Sequence, residues 1–109
     1  RAVQYPKSTL DEILEKINEK YKGDFTDADK VMLGALHDKL IADPKLKSSA
    51  LTTDPRIFTE SIFPKTFEAT AQDCYVEQTE AFTSLFSNKR KFNAIMSMLA
   101  EMLYREFNG

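Results

Sequence analysis

Three aspartates lie close together in the stretch GDFTDADK, residues 23–30, where they could bind a metal ion. Carboxylate oxygens are the ligands that calcium prefers, and an EF-hand loop needs them at positions 1, 3 and 5, with glycine at 6 and glutamate at 12. Counting from Asp24 puts Asp29 at position 6 and Ala35 at position 12. Counting from Asp27 puts Met32 and Asp38 there. Neither register fits a calcium loop.

The same stretch fits the start of an α-helix. Thr26 is predicted to be the N-cap, because its hydroxyl can accept a hydrogen bond from a backbone N–H of the first turn. Asp27 and Asp29 then fall in that first turn, where the positive end of the helix dipole favours carboxylates. We therefore interpret Thr26, Asp27 and Asp29 as a helix cap and predict no metal site here.

The chain has one histidine and one cysteine, and neither predicts catalysis. His37 alone cannot form a two-histidine metal site, and we interpret it as a surface or half-buried structural residue. A catalytic thiol needs a helix N-terminus or nearby cations to stabilise its thiolate, whereas Cys74 follows Asp73 in the middle of a helical apolar pattern, so we predict that it packs in the core. No glycine-rich phosphate loop or nucleophile elbow occurs. No catalytic, cofactor-binding or metal-binding residue is predicted.

Lys89, Arg90 and Lys91 form a cationic cluster where a helix is predicted to begin. A cation at that end of a helix costs a few tenths of a kcal/mol, which is about as much as an exposed ion pair contributes to stability. The cluster is either a tolerated group of surface charges or a docking patch for an acidic protein surface or a phosphate backbone. Both interpretations stay open from the sequence.

Composition limits the class of protein. With 109 residues, 42% of them hydrophobic, the chain is long enough for one domain with a modest core. A single cysteine excludes an internal disulfide and favours a cytoplasmic location. No apolar run of about 18 residues predicts a membrane span. A net charge of −2 is not typical of a dedicated nucleic-acid binder. Because the sequence begins with Arg1, we expect a piece of a longer protein.

Apolar residues recur at every third or fourth position, which predicts helices over residues 10–22, 27–42 and 89–107. The pairs Asp43–Pro44 and Asp54–Pro55 each predict a further helix start, with aspartate as the cap and proline as the first helical residue. No pattern typical of strands occurs.

Between these elements, residues 55–86 carry a long apolar pattern that Pro64 interrupts. Proline lacks the backbone N–H and clashes with the preceding turn, so we expect a short helix to about Ile62 and a separate helix from about Pro64 to Phe86. The predicted fold is all-α, an irregular helical bundle of about four main helices with short helical connectors.

The stretch LDEILEKINEKYKGDFTDADKVMLGALHDKLIADPKLKSSA, residues 10–50, resembles the C-terminal helical region of type I restriction enzyme R (restriction and motor) subunits. FTDAD is the sharpest part of the resemblance. The second half is similar in its Phe-led helix and its ending LYREF, but has NKRK where several family members carry an acidic residue. The positions that match the family pattern in the first half are Ile17, Asn18, Tyr21, Gly23, Phe25, Thr26, Ala28, Asp29, Leu40, Asp43 and Leu46.

The resemblance implies a parent subunit with a nuclease and two helicase-like motor domains, which hydrolyses ATP with Mg²⁺ and translocates DNA. It implies that this C-terminal part has no catalysis or cofactor of its own and attaches the motor subunit to the methyltransferase core of modification and specificity subunits. Residues 1–9 would then be a connector from the motor domains, and 10–109 the helical assembly domain. Tyr5, Tyr104 and the Lys89–Lys91 cluster are the candidate docking residues.

Two other functions stay open. One is a DNA-contacting module of the same enzyme, in which Lys45 and Lys47 join Lys89, Arg90 and Lys91. The other is an unrelated helical adaptor or a homodimer.

Overall fold

Helices make up most of the described chain. The computed structural model describes residues 27–109 together with Glu15, Glu19 and Phe25, and contains no strand among them. The predicted all-α fold is confirmed. The elements are α1 (Asp27–Ile41), α2 (Pro44–Thr52), α3 (Pro55–Ile57), a π-helical turn (Phe58–Ile62), α4 (Phe63–Glu77), α5 (Thr79–Ser87) and α6 (Lys89–Asn108).

The predicted connector 1–9 and the predicted helix 10–22 lie outside the described residues, apart from two positions. Glu15 and Glu19 are both helical and exposed.

Local capping starts α2 and α3 where the sequence predicts. The carboxylate of Asp43 accepts hydrogen bonds from the backbone N–H groups of Lys45 and Leu46, at 2.9 and 3.1 Å. The carboxylate of Asp54 accepts one from Ile57 at 2.9 Å. In each case a proline fills the first turn, where its missing N–H costs nothing.

The helix boundary predicted near Pro64 is confirmed, because a π-helical turn ends at Ile62 and α4 begins at Phe63 with Pro64 in its first turn. The residues before it form a π-helical turn, in which the N–H of Phe63 bonds to the carbonyl of Phe58. The backbone stays helical through Ile62 and Phe63, and Pro64 lies in the first turn of α4, where proline is tolerated. An α-helix would set residues five apart about 140° from each other around its axis. The wider turn instead lets Phe58 and Phe63 both be buried, with ring centroids 5.7 Å apart.

The prediction of a single helix from Pro64 to Phe86 is wrong, because the chain turns at Gln78. This residue leaves the helical conformation, with φ −136° and ψ 64°, and separates α4 from α5. In a continuous helix Tyr75 and Phe86 would lie about 16 Å apart along the axis. Their ring centroids are 5.3 Å apart, so α5 folds back against α4. The turn buries Phe82 and Leu85 completely, which a straight exposed helix could not do.

Helix α6 lies at the centre of the packing and contacts α1, α2, α4, α5 and the π turn. A run of aromatic rings lies beside it: Phe63 contacts Phe67, and Phe67 meets Phe92 of α6 edge-on with centroids 5.1 Å apart. The radius of gyration is 13.5 Å, close to the value of about 13 Å expected for a folded domain of 100 residues. Across the described part of the chain, no helix combines the length and apolar character needed to cross a membrane.

Replacing Phe67 by alanine should lower the free energy of unfolding by about 3–5 kcal/mol, because a fully buried ring between two others leaves a cavity. Val76, on the same helix, is 78% exposed, so Val76→Ala is the matched control and should change stability by less than about 0.5 kcal/mol. Urea denaturation followed by circular dichroism measures both. A Phe67→Ala variant as stable as the control would contradict the aromatic core.

Candidate docking surface

The cationic cluster at the start of α6 is divided by the fold. Asn88 caps the helix, since its side-chain oxygen accepts a hydrogen bond from the N–H of Lys91 at 3.1 Å. Lys89 and Arg90 are exposed, whereas Lys91 is buried, with 7% of its surface accessible. The three residues proposed as one patch therefore face different environments.

Lys91 links the first turn of α6 to the first turn of α1. Its Nζ lies 3.0 and 3.2 Å from the two carboxylate oxygens of Asp29, and both side chains are more than nine-tenths buried. The amine also lies over the ring of Phe25, 5.4 Å from its centroid, at a distance where a cation is attracted to the ring. A charge taken out of water needs such partners. Lys91 is thus held inside the protein.

Asp29 therefore has a partner that sequence reasoning did not find. It lies in the first turn of α1, as predicted, but its carboxylate pairs with an amine 62 residues further along the chain. Thr26 and the side chain of Asp27 lie outside the described residues, so the predicted N-cap stays a prediction. Asp27 itself is the first residue of α1.

Three aromatic side chains from three helices meet at the surface of the protein. Tyr75 of α4 packs edge-on against Phe86 of α5, and Phe86 lies 5.8 Å from Phe92 of α6, between ring centroids. Tyr75 and Phe86 are 37% and 41% exposed, and Phe92 is partly buried. We call Tyr75, Phe86 and Phe92 the aromatic surface. Lys89 lies one turn before Phe92 on the same side of α6, and so places a cation at the edge of the aromatic surface.

Tyr75 and Phe86 belong to the apolar pattern of residues 55–86, and neither was predicted to be a docking residue. A helical count gives a partial signal, because Tyr75 lies about 80° around α4 from the buried Phe67, at the margin of the apolar face. Phe86 could not be placed without knowing that the chain turns at Gln78. Of the tyrosines named as docking candidates, Tyr5 lies outside the described residues. Tyr104 is engaged internally, since its hydroxyl donates to the carbonyl of Thr53 at 2.7 Å.

His37 and Cys74 take structural positions. Nε2 of the half-buried His37 donates a hydrogen bond to Oε1 of Glu106 at 2.7 Å and so links α1 to α6. Cys74 is fully buried, as predicted. Burial raises the pKa of its thiol, and the nearby Lys39 amine opposes that shift. Among the described residues, no group of three His, Cys, Asp or Glu side chains could hold a metal ion.

Comparisons with known proteins identify no relative: no protein-family model, no curated protein and no solved structure matches the chain. The resemblance to restriction-enzyme R subunits therefore rests on the sequence patterns given above.

Replacing Lys91 by alanine should destabilise the fold by about 3–5 kcal/mol, because it leaves the buried carboxylate of Asp29 without its amine. The double variant Asp29→Leu/Lys91→Met should recover most of that loss, since an apolar pair of similar volume avoids burying charge. Lys89→Ala removes an exposed charge two residues away and is the control. Urea denaturation reports all three, and a Lys91→Ala variant as stable as Lys89→Ala would contradict the buried pair.

The thiol of Cys74 should react slowly in the native protein, because it is buried and its raised pKa keeps it protonated. The rate of iodoacetamide modification at pH 8 should rise at least tenfold in denaturing urea. The ordinary thiol pKa is 9.0, so above that pH the unfolded chain loses this proton before the folded chain does, and stability falls. The stability of Cys74→Ala should fall less steeply with pH in that range. Equal native and denatured rates would contradict the burial of this thiol.

Proposed function

We propose that this chain is a non-catalytic helical docking domain of a type I restriction enzyme R subunit, which attaches the motor subunit to the methyltransferase core of modification and specificity subunits. The sequence resemblance supplies the enzyme and its partners. The parent subunit would hydrolyse ATP with Mg²⁺, translocate DNA and act as an endonuclease through its other domains.

The observation that carries a docking role is the exposure of the aromatic surface. Tyr75 and Phe86 each keep more than a third of their surface accessible although their rings pack on one another. Exposed apolar groups gathered in one place are typical of protein interaction sites. Aromatic side chains are enriched at such interfaces and carry much of the binding energy, because burying them removes a large apolar area from water.

The charges around this surface suit a protein partner with acidic residues at its edge. Lys89 lies on the same side of α6 as Phe92, and Arg90 is exposed next to it. Cations at the rim of an interface mainly raise the association rate and select the partner. The apolar centre then determines how long the complex lasts.

A DNA-contacting module is the second candidate. Lys45, Lys47, Lys89 and Arg90 are all exposed, as DNA contact would require. The fifth residue of that predicted set, Lys91, has its amine bound to Asp29 inside the protein, which weakens this alternative.

The docking proposal is tested by mixing the 109-residue chain with the purified modification–specificity core. Size-exclusion chromatography with light scattering detects the complex, and titration gives its Kd. Tyr75→Ala and Phe86→Ala should each raise the Kd at least about 30-fold, as expected for central aromatic residues. Ile57 is more exposed than either residue, at 48%, but lies outside the aromatic surface, so Ile57→Ala is the matched control and should leave the Kd unchanged. Circular dichroism confirms that each variant is folded.

The other outcomes separate the alternatives. Wild-type binding that survives both aromatic substitutions would keep the assembly role and assign it to a different face. No binding by the wild-type chain would overturn the proposal. Salt-sensitive binding to duplex DNA, lost in Lys45→Glu/Lys47→Glu, would favour the DNA-contacting module instead.

A further inference from the structure

The turn between α4 and α5 has no residue that requires a helix to end there. The local sequence VEQTEA, residues 76–81, contains neither glycine nor proline. No side chain caps the first turn of α5. Glutamine, glutamate and alanine are good helix formers. The local sequence therefore favours one continuous helix over residues 63–87, and only the tertiary fold divides it at Gln78.

A continuous helix would complete hydrogen bonds that the turn interrupts. The i to i−4 pattern would direct the N–H groups of residues 79, 80 and 81 to the carbonyls of residues 75, 76 and 77. In the folded chain these two sets belong to the end of α4 and the start of α5. An open depression lined by Val31, Gln78, Thr79, Glu80 and Ala81 lies at this point, so the turn is at the surface of the protein.

The hairpin is held by apolar contacts further along the chain. Phe82 and Leu85 of α5 are completely buried, and Phe86 rests on Tyr75. Straightening the turn in an isolated molecule would remove these side chains from the core. A second copy of the chain carries the same core surfaces, on α1, α2, the π turn and α4, against which α5 and α6 pack. Two copies that straighten together can therefore bury the same side chains in each other.

We propose that Gln78 is a hinge through which two copies of this chain form a domain-swapped dimer. In that dimer α4 and α5 merge into one helix, and α5 and α6, residues 79–108, pack on the partner copy. Exchange of identical elements keeps the core contacts of the monomer, so the dimer needs no new complementary surface. The helix gained at residues 78–81 favours the straightened form. This inference does not depend on the proposed docking role.

The test changes the helix preference of the hinge and measures the dimer. The 109-residue chain and its variants are refolded from urea at several hundred micromolar, and the dimer fraction is measured by size-exclusion chromatography with light scattering. Gln78→Ala/Thr79→Ala raises helix preference at the turn and should increase the dimer-to-monomer ratio at least tenfold over wild type. Gln78→Gly lowers the helix preference of the turn and should reduce the dimer-to-monomer ratio at least threefold relative to wild type.

Thr83→Ala is the matched control. Thr79 and Thr83 both donate their hydroxyl to the carbonyl four residues earlier, at 2.9 and 2.7 Å, but only Thr79 lies at the turn. Thr83→Ala should therefore match wild type in dimer fraction. Thermal unfolding by circular dichroism checks that each variant is folded.

Persistence on dilution distinguishes a swapped dimer from an association of two surfaces. A swapped dimer must unpack α5 and α6 before it separates, so it should persist for hours after dilution to 1% of the refolding concentration. Three results would overturn the proposal. They are a dimer that separates within the dead time of the column, equal dimer fractions in Gln78→Gly and Gln78→Ala/Thr79→Ala, and a chain that stays monomeric in every folded variant.

Discussion

Aromatic rings packed beside α6 determine the course of the helices that precede it. Phe58, Phe63 and Phe67 are all completely buried, and Phe67 meets Phe92 of α6 edge-on. A regular α-helix could not place residues 58 and 63 on the same side, so the chain adopts a π turn between them. Packing of the rings thus outweighs the regular hydrogen bonding of the backbone, since each buried ring removes a large apolar area from water.

Packing around α6 determines both which charges are buried and which aromatic side chains lie at the surface. At its first turn, α6 directs Lys91 inward to Asp29 and leaves Lys89 exposed. A buried ion pair adds little net stability over an apolar pair, but either charge alone would be costly, so the pair restricts how α1 and α6 can align. On another side of α6, the turn of the chain after α4 brings Phe86 to Tyr75. The turn at Gln78 therefore creates both the exposed aromatic surface and the proposed hinge.

The features that could be predicted from the sequence are local ones. The caps at Asp43 and Asp54 use side chains two or three residues from the N–H groups that they bind, so residue type and spacing were enough to predict them. The period of the apolar residues predicted the all-α fold and the positions of α1 and α6. Burial of Cys74 followed from its place in that pattern. Each of these features depends on neighbours along one helix.

The features that could not be predicted involve residues that are distant in sequence. Lys91 and Asp29 are 62 residues apart, and a cationic triplet gives no local sign of which member will be buried. The stretch around Gln78 favours a helix locally and turns only because Phe82 must reach the core. That turn places Phe86 against Tyr75, a contact that the apolar period alone does not predict. The physical reason is the same in each case: burial against another element lowers the free energy by more than the local backbone preference opposes it.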